Sequence, residues 1–332
     1  MRRLHEQIRY HHKFFGMIRR TLQISRQIQA YRGFSVSLLL KNDISKATFA
    51  SKEEMSHFNA LASSWWDVEG PQRILHKMNL LRMDYINEII KNNTKLNADA
   101  LTSDEEVYIA PYNLNLLPKP IKERILLEQD EKRAEIFAER PLRALDVGCG
   151  GGILAESLAR LNFVDSVKGL DLSTDVLEAA KVHMQNDPDL EDVLLYEYKA
   201  VEDLPKDEKY DIITVFEMLE HVEFPAQILS EVFDRLETGG FVFLSTINRD
   251  LISWFTTIFM GEHVLGIVPV GTHSLKKYIN EAEIRQWLLS SNYKNMCQVV
   301  DSRGCIYLPA CGWKFTSNAQ VGNYFMAIQK TS

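Results

Sequence analysis

The sequence predicts an α/β fold in residues 141–332, built on a mostly parallel seven-stranded sheet. From Pro141 onward, short apolar runs alternate with segments whose apolar residues recur at helical spacing, which is typical of strands joined by crossover helices. A final apolar run enters late in the chain and is expected as an antiparallel edge strand. The predicted strands are 142–147, 166–171, 193–199, 210–216, 240–246, 296–301 and 323–329. The predicted helices are 152–161, 173–186, 226–237 and 281–291.

Residues 43–140 are predicted to form a helical N-terminal extension to this sheet. Apolar residues at helical spacing predict helices over 53–70 and 71–91, separated by a Gly-Pro break, and a charged helix follows from 121. Residues near 92–120 lack periodicity and contain three prolines, so they are expected to form a surface insertion.

The charge is distributed unevenly along the chain. Residues 1–42 contain nine basic residues and one acidic residue, a net charge of +8, whereas the whole chain carries −7 and the remainder therefore −15. A segment rich in Arg and poor in acids predicts a mitochondrial presequence that is removed, with a basic nucleic-acid-binding arm as the alternative. The acidic remainder argues against nucleic acid as a partner. Four cysteines lack zinc or thioredoxin spacing and are expected to be reduced thiols: Cys149, Cys297, Cys305 and Cys311.

A glycine-rich turn follows the first predicted strand in "LDVGCGGG", residues 145–152. Glycines such as Gly148 and Gly150 let the backbone adopt positive φ and approach a ligand closely. That arrangement also suits a dinucleotide, whose pyrophosphate would lie over the following helix N-terminus. A carboxylate at Asp146 would repel a pyrophosphate but attract the ammonium group of S-adenosylmethionine (SAM). The turn therefore favours SAM over NAD.

The next two strands carry residues suited to an adenosine. The second strand ends at Asp171, where an acid can accept hydrogen bonds from both ribose hydroxyls. After the third strand, Val201 can cover the adenine ring, and Glu202 or Asp203 can accept from its amino group. The acid at position 171 would suit NAD equally, so these residues predict an adenosine site without identifying the rest of the ligand.

A cluster of acids follows the fourth strand in "FEMLEHVEFP", residues 216–225. Glu217, Glu220 and His221 have i, i+3, i+4 spacing and are predicted to share one helical face at the carboxyl edge of the sheet. Two carboxylates and an imidazole could hold Mg²⁺ there. Alternatively, His221 could act as a general base without a metal, or the three side chains could pair on a solvated turn.

These segments together resemble the class I SAM-dependent methyltransferases and, within them, the mitochondrial ubiquinone-biosynthesis O-methyltransferases. The resemblance rests on the glycine turn, the acid cluster, "FNALASSWWDVEG", "LSTINR" and "GTHSLKKYI", and it covers most of residues 53–328. It implies a Rossmann-like class I methyltransferase fold. It also implies methylation of a catechol hydroxyl on two polyprenylated precursors, a polyprenyl dihydroxybenzoate and demethylubiquinol.

The same resemblance implies further site residues and partners. Arg82 occupies the position of a helix arginine that contacts the cofactor, and Phe216 that of a main-chain contact. Glu217, Glu220 and His221 correspond to Mg²⁺ ligands. The family also implies a peripheral protein on the matrix side of the inner membrane, associated with other ubiquinone-biosynthesis proteins. Two alternatives stay open: a methyltransferase for another small hydrophobic substrate, and a non-catalytic scaffold whose cofactor turns would be degraded.

Two aromatic segments suit a hydrophobic substrate. Residues 249–279 are dense in Trp, Phe, Ile and Val and predict a lid that also contacts lipid, with core packing as the alternative. Membrane contact would use Trp254, Phe255, Ile258 and Phe259, because a net charge of −15 opposes attraction to anionic lipid. In "SSWWD", Trp65 and Trp66 could cover the cofactor or an aromatic substrate, or could simply pack in the helical extension.

Overall fold

The computed structural model describes residues 59–70, 72–94, 113–254, 274–308 and 311–332. The predicted presequence, residues 1–42, lies outside the described residues, as do most of the insertion near 92–120 and most of the hydrophobic segment 249–279. Among the helices that are described, none has the length and apolar character needed to cross a bilayer.

One eight-stranded sheet organises residues 141–332, in the order β3-β2-β1-β4-β5-β8-β6-β7. Strands β1 to β5 form a parallel set, with β1 between β2 and β4. Strand β8 is antiparallel to both of its neighbours, β5 and β6. The strands are β1 Leu142–Val147, β2 Val164–Asp171, β3 Leu194–Tyr198, β4 Tyr210–Phe216, β5 Leu236–Ile247, β6 Cys297–Leu308, β7 Gly312–Thr316 and β8 Asn323–Lys330.

The predicted α/β sheet is confirmed, but its antiparallel end is different from the prediction. The last strand of the chain, β8, is antiparallel as expected, yet it inserts between β5 and β6 and is not an edge strand. The edge is formed by β7, which pairs with β6 and brings the count to eight strands instead of seven. Strand β8 is buried from Asn323 to Ile328, as an interior position requires.

Six described helices of seven or more residues lie around the sheet: α1 Arg73–Asn93, α2 Lys119–Glu139, α3 Ile153–Ala159, α4 Thr174–Met184, α5 Pro225–Asp234 and α6 Glu281–Ser290. A three-residue helix, Leu251–Ser253, follows β5. Helix α5 ends before the predicted residue 237 because the chain enters β5 at Leu236, which pairs with Tyr210 of β4. The helix predicted over 53–70 is wrong in its described part: only residues 59–61 are α-helical, and the 3₁₀ turn Ala62–Ser64 and further turns follow.

Helix α1 packs its apolar side on the sheet. The side chain of Tyr85 is fully buried and contacts three phenylalanine rings, Phe243 of β5, Phe315 of β7 and Phe325 of β8, with ring centroids 5.5–6.1 Å apart. Aromatic rings in edge-on contact bury large areas in a fixed geometry. This packing fixes the position of Arg82, which lies one helical turn before Tyr85.

Candidate functional site

The glycine turn between β1 and α3 has the left-handed backbone that its sequence predicts. Gly148, Gly150 and Gly152 have φ of 74°, 53° and 86°. The missing side chains also leave room for protein neighbours: a Cβ on Gly151 would lie 2.2 Å from Cδ1 of Trp65, and one on Gly148 would lie 2.8 Å from Cγ of Met218. The turn therefore requires glycine both for its backbone conformation and for the close approach of the Trp65 and Met218 side chains.

One cavity opens at the carboxyl edge of the parallel strands, where open α/β sheets bind ligands. The structure brings most of the predicted site residues together there. Of the described residues predicted for the site, the cavity is lined by Arg82, Asp146, Gly148, Gly150, Asp171, Val201, Phe216, Glu217 and His221. Glu202 and Glu220 are not among its lining residues.

Asp146, the next-to-last residue of β1, has a carboxylate that is almost fully buried, at 3% exposure. Its Oδ1 accepts a hydrogen bond of 2.7 Å from Oγ1 of Thr214 on β4. Burial raises the pKa of Asp146 to about 6, although the Thr214 hydrogen bond and the charge of Arg82 act in the opposite direction. A buried carboxylate with one neutral donor can lower its free energy further by binding a cation.

Asp171 at the end of β2 connects the glycine turn to α4. Its Oδ2 accepts from the backbone N–H of Gly150 at 2.9 Å, and its Oδ1 accepts from the N–H of Ser173 at 2.8 Å. Burial raises the pKa of Asp171, and these backbone donors oppose the rise. Each carboxylate oxygen has a second lone pair, so the side chain can still accept hydrogen bonds from a ligand's hydroxyls.

Arg82 reaches the cavity from α1 and lies against Phe216, with its guanidinium carbon 5.1 Å from the ring centroid. The side chain is 7% exposed, and no hydrogen-bond partner for its Nε is found in the described part of the chain. Burial lowers the pKa of Arg82, and the carboxylates of Glu217 and Asp146 oppose that change. A buried guanidinium with an unsatisfied donor suits the carboxylate of a ligand.

Of the residues predicted for the adenine end, Val201 lines the cavity and Glu202 does not. The 3₁₀ turn Val201–Asp203 follows β3, and the side chain of Val201 is fully buried in the cavity wall. Glu202 lies on the same turn but outside the cavity lining, so its hydrogen bond to adenine remains a prediction.

The segment 217–224 after β4 is a turn, and the prediction that three of its side chains share a helical face is wrong. Helix α5 begins only at Pro225. Glu217 has φ of 51°, and it is the single non-glycine residue with positive φ in the described ranges. Ser245 of β5 accounts for this conformation: its Oγ donates to Glu217 Oε1 at 2.5 Å and accepts from the Glu217 N–H at 3.2 Å.

Glu220 is held by a different residue of β5. Its Oε2 accepts a 2.8 Å hydrogen bond from Oγ1 of Thr246, the residue after Ser245. Successive residues of a strand project to opposite faces, so the two acids are bound by side chains from different faces of β5. Burial and the charge of Glu217 raise the pKa of Glu220. Across residues 59–70, 72–94, 113–254, 274–308 and 311–332, no three His, Cys, Asp or Glu side chains group closely enough to hold a metal ion.

Three hydroxyl residues that hold these acids were not predicted from the sequence. Thr214, Ser245 and Thr246 are fully buried. A usable signal existed, because each is a polar residue within an otherwise apolar strand, in "DIITVF" and "FVFLSTI". Buried hydroxyls require hydrogen-bond partners, and acids at the ends of the same strands are the nearest acceptors.

The two tryptophans of "SSWWD" have different positions. Trp65 is 6% exposed and lines the cavity beside the glycine turn. Trp66 lies outside the cavity lining; its Nε1–H donates to the Gly151 carbonyl at 2.8 Å, and its ring stacks on His183. The predicted cover over the ligand site is therefore supported for Trp65 alone.

Comparison with known proteins gives two relatives that match nearly the whole chain. Residues 121–298 match a family model described as a methyltransferase domain. A Candida albicans protein named mitochondrial ubiquinone biosynthesis O-methyltransferase is 60% identical over 306 residues, covering 92% of this chain and 93% of that protein. A Saccharomyces cerevisiae protein of the same name is 46% identical over 314 residues, covering 94% and 97%. The crystal structure of magnesium protoporphyrin IX methyltransferase from Synechocystis PCC 6803 with bound SAH is 17% identical, with a TM-score of 0.42, covering 74% and 99%.

Proposed function

Because the chain belongs to the ubiquinone biosynthesis O-methyltransferase family, we propose that it transfers a methyl group from SAM to a catechol hydroxyl of polyprenylated ubiquinone precursors. The substrates would be a polyprenyl dihydroxybenzoate and demethylubiquinol. The observation that carries the cofactor assignment is the buried Asp146 carboxylate beside the glycine turn, because it favours a cationic ligand over a pyrophosphate. The intact cofactor turns favour an enzyme over a scaffold.

In this proposal, three charged side chains each bind a different group of SAM. Asp146 would bind the ammonium group, and Arg82, with its unsatisfied Nε, would bind the carboxylate of the same amino-acid moiety. Asp171 would accept hydrogen bonds from the ribose hydroxyls. Val201 would contact the adenine, and the backbone at Phe216 would complete the site.

The reaction requires that the catechol hydroxyl lose its proton. A catechol hydroxyl has a pKa of ~10, as tyrosine does, so at neutral pH it must be deprotonated to become a strong nucleophile. The bound sulfonium supplies an electrophilic methyl group. His221 lines the cavity and would accept the hydroxyl proton, while Glu217, held by Ser245, would orient the hydroxyl. Transfer would then be a direct in-line displacement: the O–CH₃ bond forms as the S–CH₃ bond breaks, S-adenosylhomocysteine leaves, and no covalent enzyme intermediate is needed.

The Mg²⁺ ligand set, Glu217, Glu220 and His221, stays a prediction. Within the described residues the three side chains do not form a group that could hold a metal ion, and Ser245 and Thr246 bind the carboxylates of Glu217 and Glu220 respectively. We therefore assign no step of the reaction to the metal.

A location on the matrix side of the inner membrane, with other ubiquinone-biosynthesis proteins as partners, is part of the proposal. It is supported by the mitochondrial names of the relatives and by the basic residues 1–42. Leu251 and Ile252, which begin the hydrophobic segment, are 47% and 48% exposed. These side chains would contribute to the contact with lipid or with a prenyl tail.

Transfer of a labelled methyl group tests the reaction. Purified protein is incubated with methyl-labelled SAM and a short-chain prenyl catechol, and label is expected in a monomethoxy product. The matched control substrate has both hydroxyls already methylated and should stay unlabelled. Equal labelling of the control, or no labelling of the catechol by a protein that binds SAM, would contradict O-methylation.

Chelation distinguishes the metal from the general base. If His221 acts alone, EDTA leaves the rate unchanged and His221→Ala lowers kcat by about a hundredfold. If a divalent ion is required, EDTA abolishes transfer and added Mg²⁺ restores it. The second result would contradict the arrangement of Glu217 and Glu220 described above.

A further inference from the structure

The glycine turn is held from outside the cavity as well as from inside it. The carbonyl of Gly151 accepts a 2.8 Å hydrogen bond from the indole N–H of Trp66. On the other side, the N–H of Gly150 is bonded to Asp171. Glycine loses more conformational freedom on ordering than any other residue, so a turn with four glycines between 148 and 152 needs such anchors.

The ring of Trp66 is fixed by His183 of α4. The two rings are parallel within 2°, with centroids 3.4 Å apart. His183 in turn donates from Nδ1 to Oε1 of Glu156 at 2.8 Å, and Glu156 is a fully buried residue of α3. Arg160 donates to the other oxygen, Oε2, at 3.2 Å. Trp66 is therefore held by α4, which follows Asp171, and through His183 and Glu156 by α3, which follows the glycine turn.

Further contacts hold residues 59–70, the segment that contains Trp65 and Trp66, against the cavity. At one end Asn59 accepts a 2.6 Å hydrogen bond from Ser173 Oγ, next to Asp171. In its middle, the carbonyl of Trp65 accepts from His76 Nε2 of α1 at 2.9 Å. Trp65 forms part of the cavity wall, so the outer contacts of Trp66 determine where that wall lies.

We propose that Trp66 and His183 are positioning residues for SAM: they hold the glycine turn and Trp65 in the binding conformation although neither of them lines the cavity. The inference rests on the function proposed above. Ordering the turn before the ligand arrives removes an entropic cost from binding. Loss of either residue should therefore weaken the affinity for SAM and leave the displacement step itself unchanged.

The test compares two Trp→Phe variants by calorimetry with SAM. Trp66→Phe retains an aromatic ring for stacking and loses the N–H donor, which should raise the Kd for SAM about fivefold. Trp313→Phe is the matched control, because Trp313 of β7 also donates its indole N–H to a backbone carbonyl, that of Ile74 at 3.1 Å, outside the cavity lining. The control should bind SAM as the wild-type protein does.

A second variant tests the stacked pair. His183→Gln can still donate to Glu156 but cannot stack on Trp66, so it should also raise the Kd for SAM several-fold. If both residues act through Gly151, the double variant Trp66→Phe/His183→Gln should weaken binding by less than the product of the single effects. In both single variants the KM for SAM should rise while kcat at saturating SAM stays within about twofold of wild type.

Amide hydrogen exchange reports the turn directly. In ligand-free Trp66→Phe, the amides of residues 148–152 should exchange faster, whereas Trp313→Phe should leave them unchanged. If Trp66→Phe does not fold, His183→Gln carries the same measurements.

The outcomes separate the two claims. Wild-type binding of SAM, together with equal Kd values for Trp66→Phe and Trp313→Phe, overturns the positioning inference and leaves the proposed function intact. Multiplicative effects in the double variant also overturn it, since the two residues would then act independently. A wild-type protein that neither binds SAM nor transfers its methyl group overturns the proposed function and the inference together.

Discussion

The turns after β1 and after β4 lie side by side at the carboxyl edge of the sheet and solve the same conformational problem differently. The first adopts positive φ at glycines, whereas the second adopts it at Glu217. A left-handed conformation costs a non-glycine residue about 1–2 kcal/mol, and Ser245 offsets that cost with two hydrogen bonds. The comparison indicates that the glycine turn after β1 permits close packing, whereas the turn after β4, the acid turn, orients the carboxylate of Glu217.

The largest expected effect tests the packing of the glycine turn. A Cβ on Gly152 would lie 2.0 Å from the hydroxyl oxygen of the buried Tyr196, so Gly152→Ala should lower the free energy of unfolding by about 4 kcal/mol. Gly239→Ala is the matched control: Gly239 has φ of 88°, but its Cβ would meet no atom within 4 Å, so about 1 kcal/mol is expected. Urea denaturation measures both. Equal losses would show that φ alone, and not close packing, requires glycine at position 152.

The next effect concerns the two acids of the second turn. Glu217→Gln should lower kcat about tenfold, because its carboxylate lines the cavity, while Glu220→Gln should change kcat less than twofold. Both changes preserve side-chain volume, and SAM affinity serves as the folding control. Equal losses in the two variants would show that Glu220 reaches the reacting hydroxyl, as the predicted metal site requires.

An effect of similar size, spread over two pH units, is a pH dependence of SAM binding. With a pKa of about 6, Asp146 is about a tenth ionised at pH 5 and about nine tenths ionised at pH 7. Because the ionised form attracts the ammonium group, the Kd for SAM should fall about tenfold over this range. The slope should be absent in Asp146→Asn, and its persistence there would assign the dependence to another group such as Asp171.

The raised pKa of Asp146 has the opposite effect on the stability of the ligand-free protein, which falls as the pH rises. The folded-state pKa of Asp146 is raised above the ordinary 3.8, so the folded state binds more protons between these values. Its contribution to stability is fully present below about pH 3.8 and is lost as pH rises through about 6. Denaturation of wild-type and Asp146→Asn proteins across this range measures the difference.

The cofactor half could be predicted from the sequence because its constraints are local. Four glycines between a strand and a helix predict positive φ, and acids near strand ends predict ligand contacts. Asp146, Gly148, Gly150 and Asp171 accordingly line the cavity. Arg82 and Phe216 came from the family resemblance, and the structure brings both to the same cavity.

The acid turn could not be predicted because its conformation depends on a distant strand. Spacing of i, i+3, i+4 fits a helix, and nothing near Glu217 in the sequence announces the left-handed backbone that Ser245 stabilises 28 residues later. The place of β8 between β5 and β6 is equally hidden, since order along the chain does not fix order in a sheet. Strand β7, Gly312–Thr316, was not predicted from the sequence.

Calorimetry of the wild-type protein with SAM and with NAD tests the central claim, that the crevice beside Asp146 takes a cationic amino-acid moiety. We expect SAM to bind, NAD to give no binding heat at the same concentrations, and Asp146→Asn to lose most of the affinity for SAM. Binding of NAD in place of SAM, or wild-type affinity for SAM in Asp146→Asn, would contradict the account.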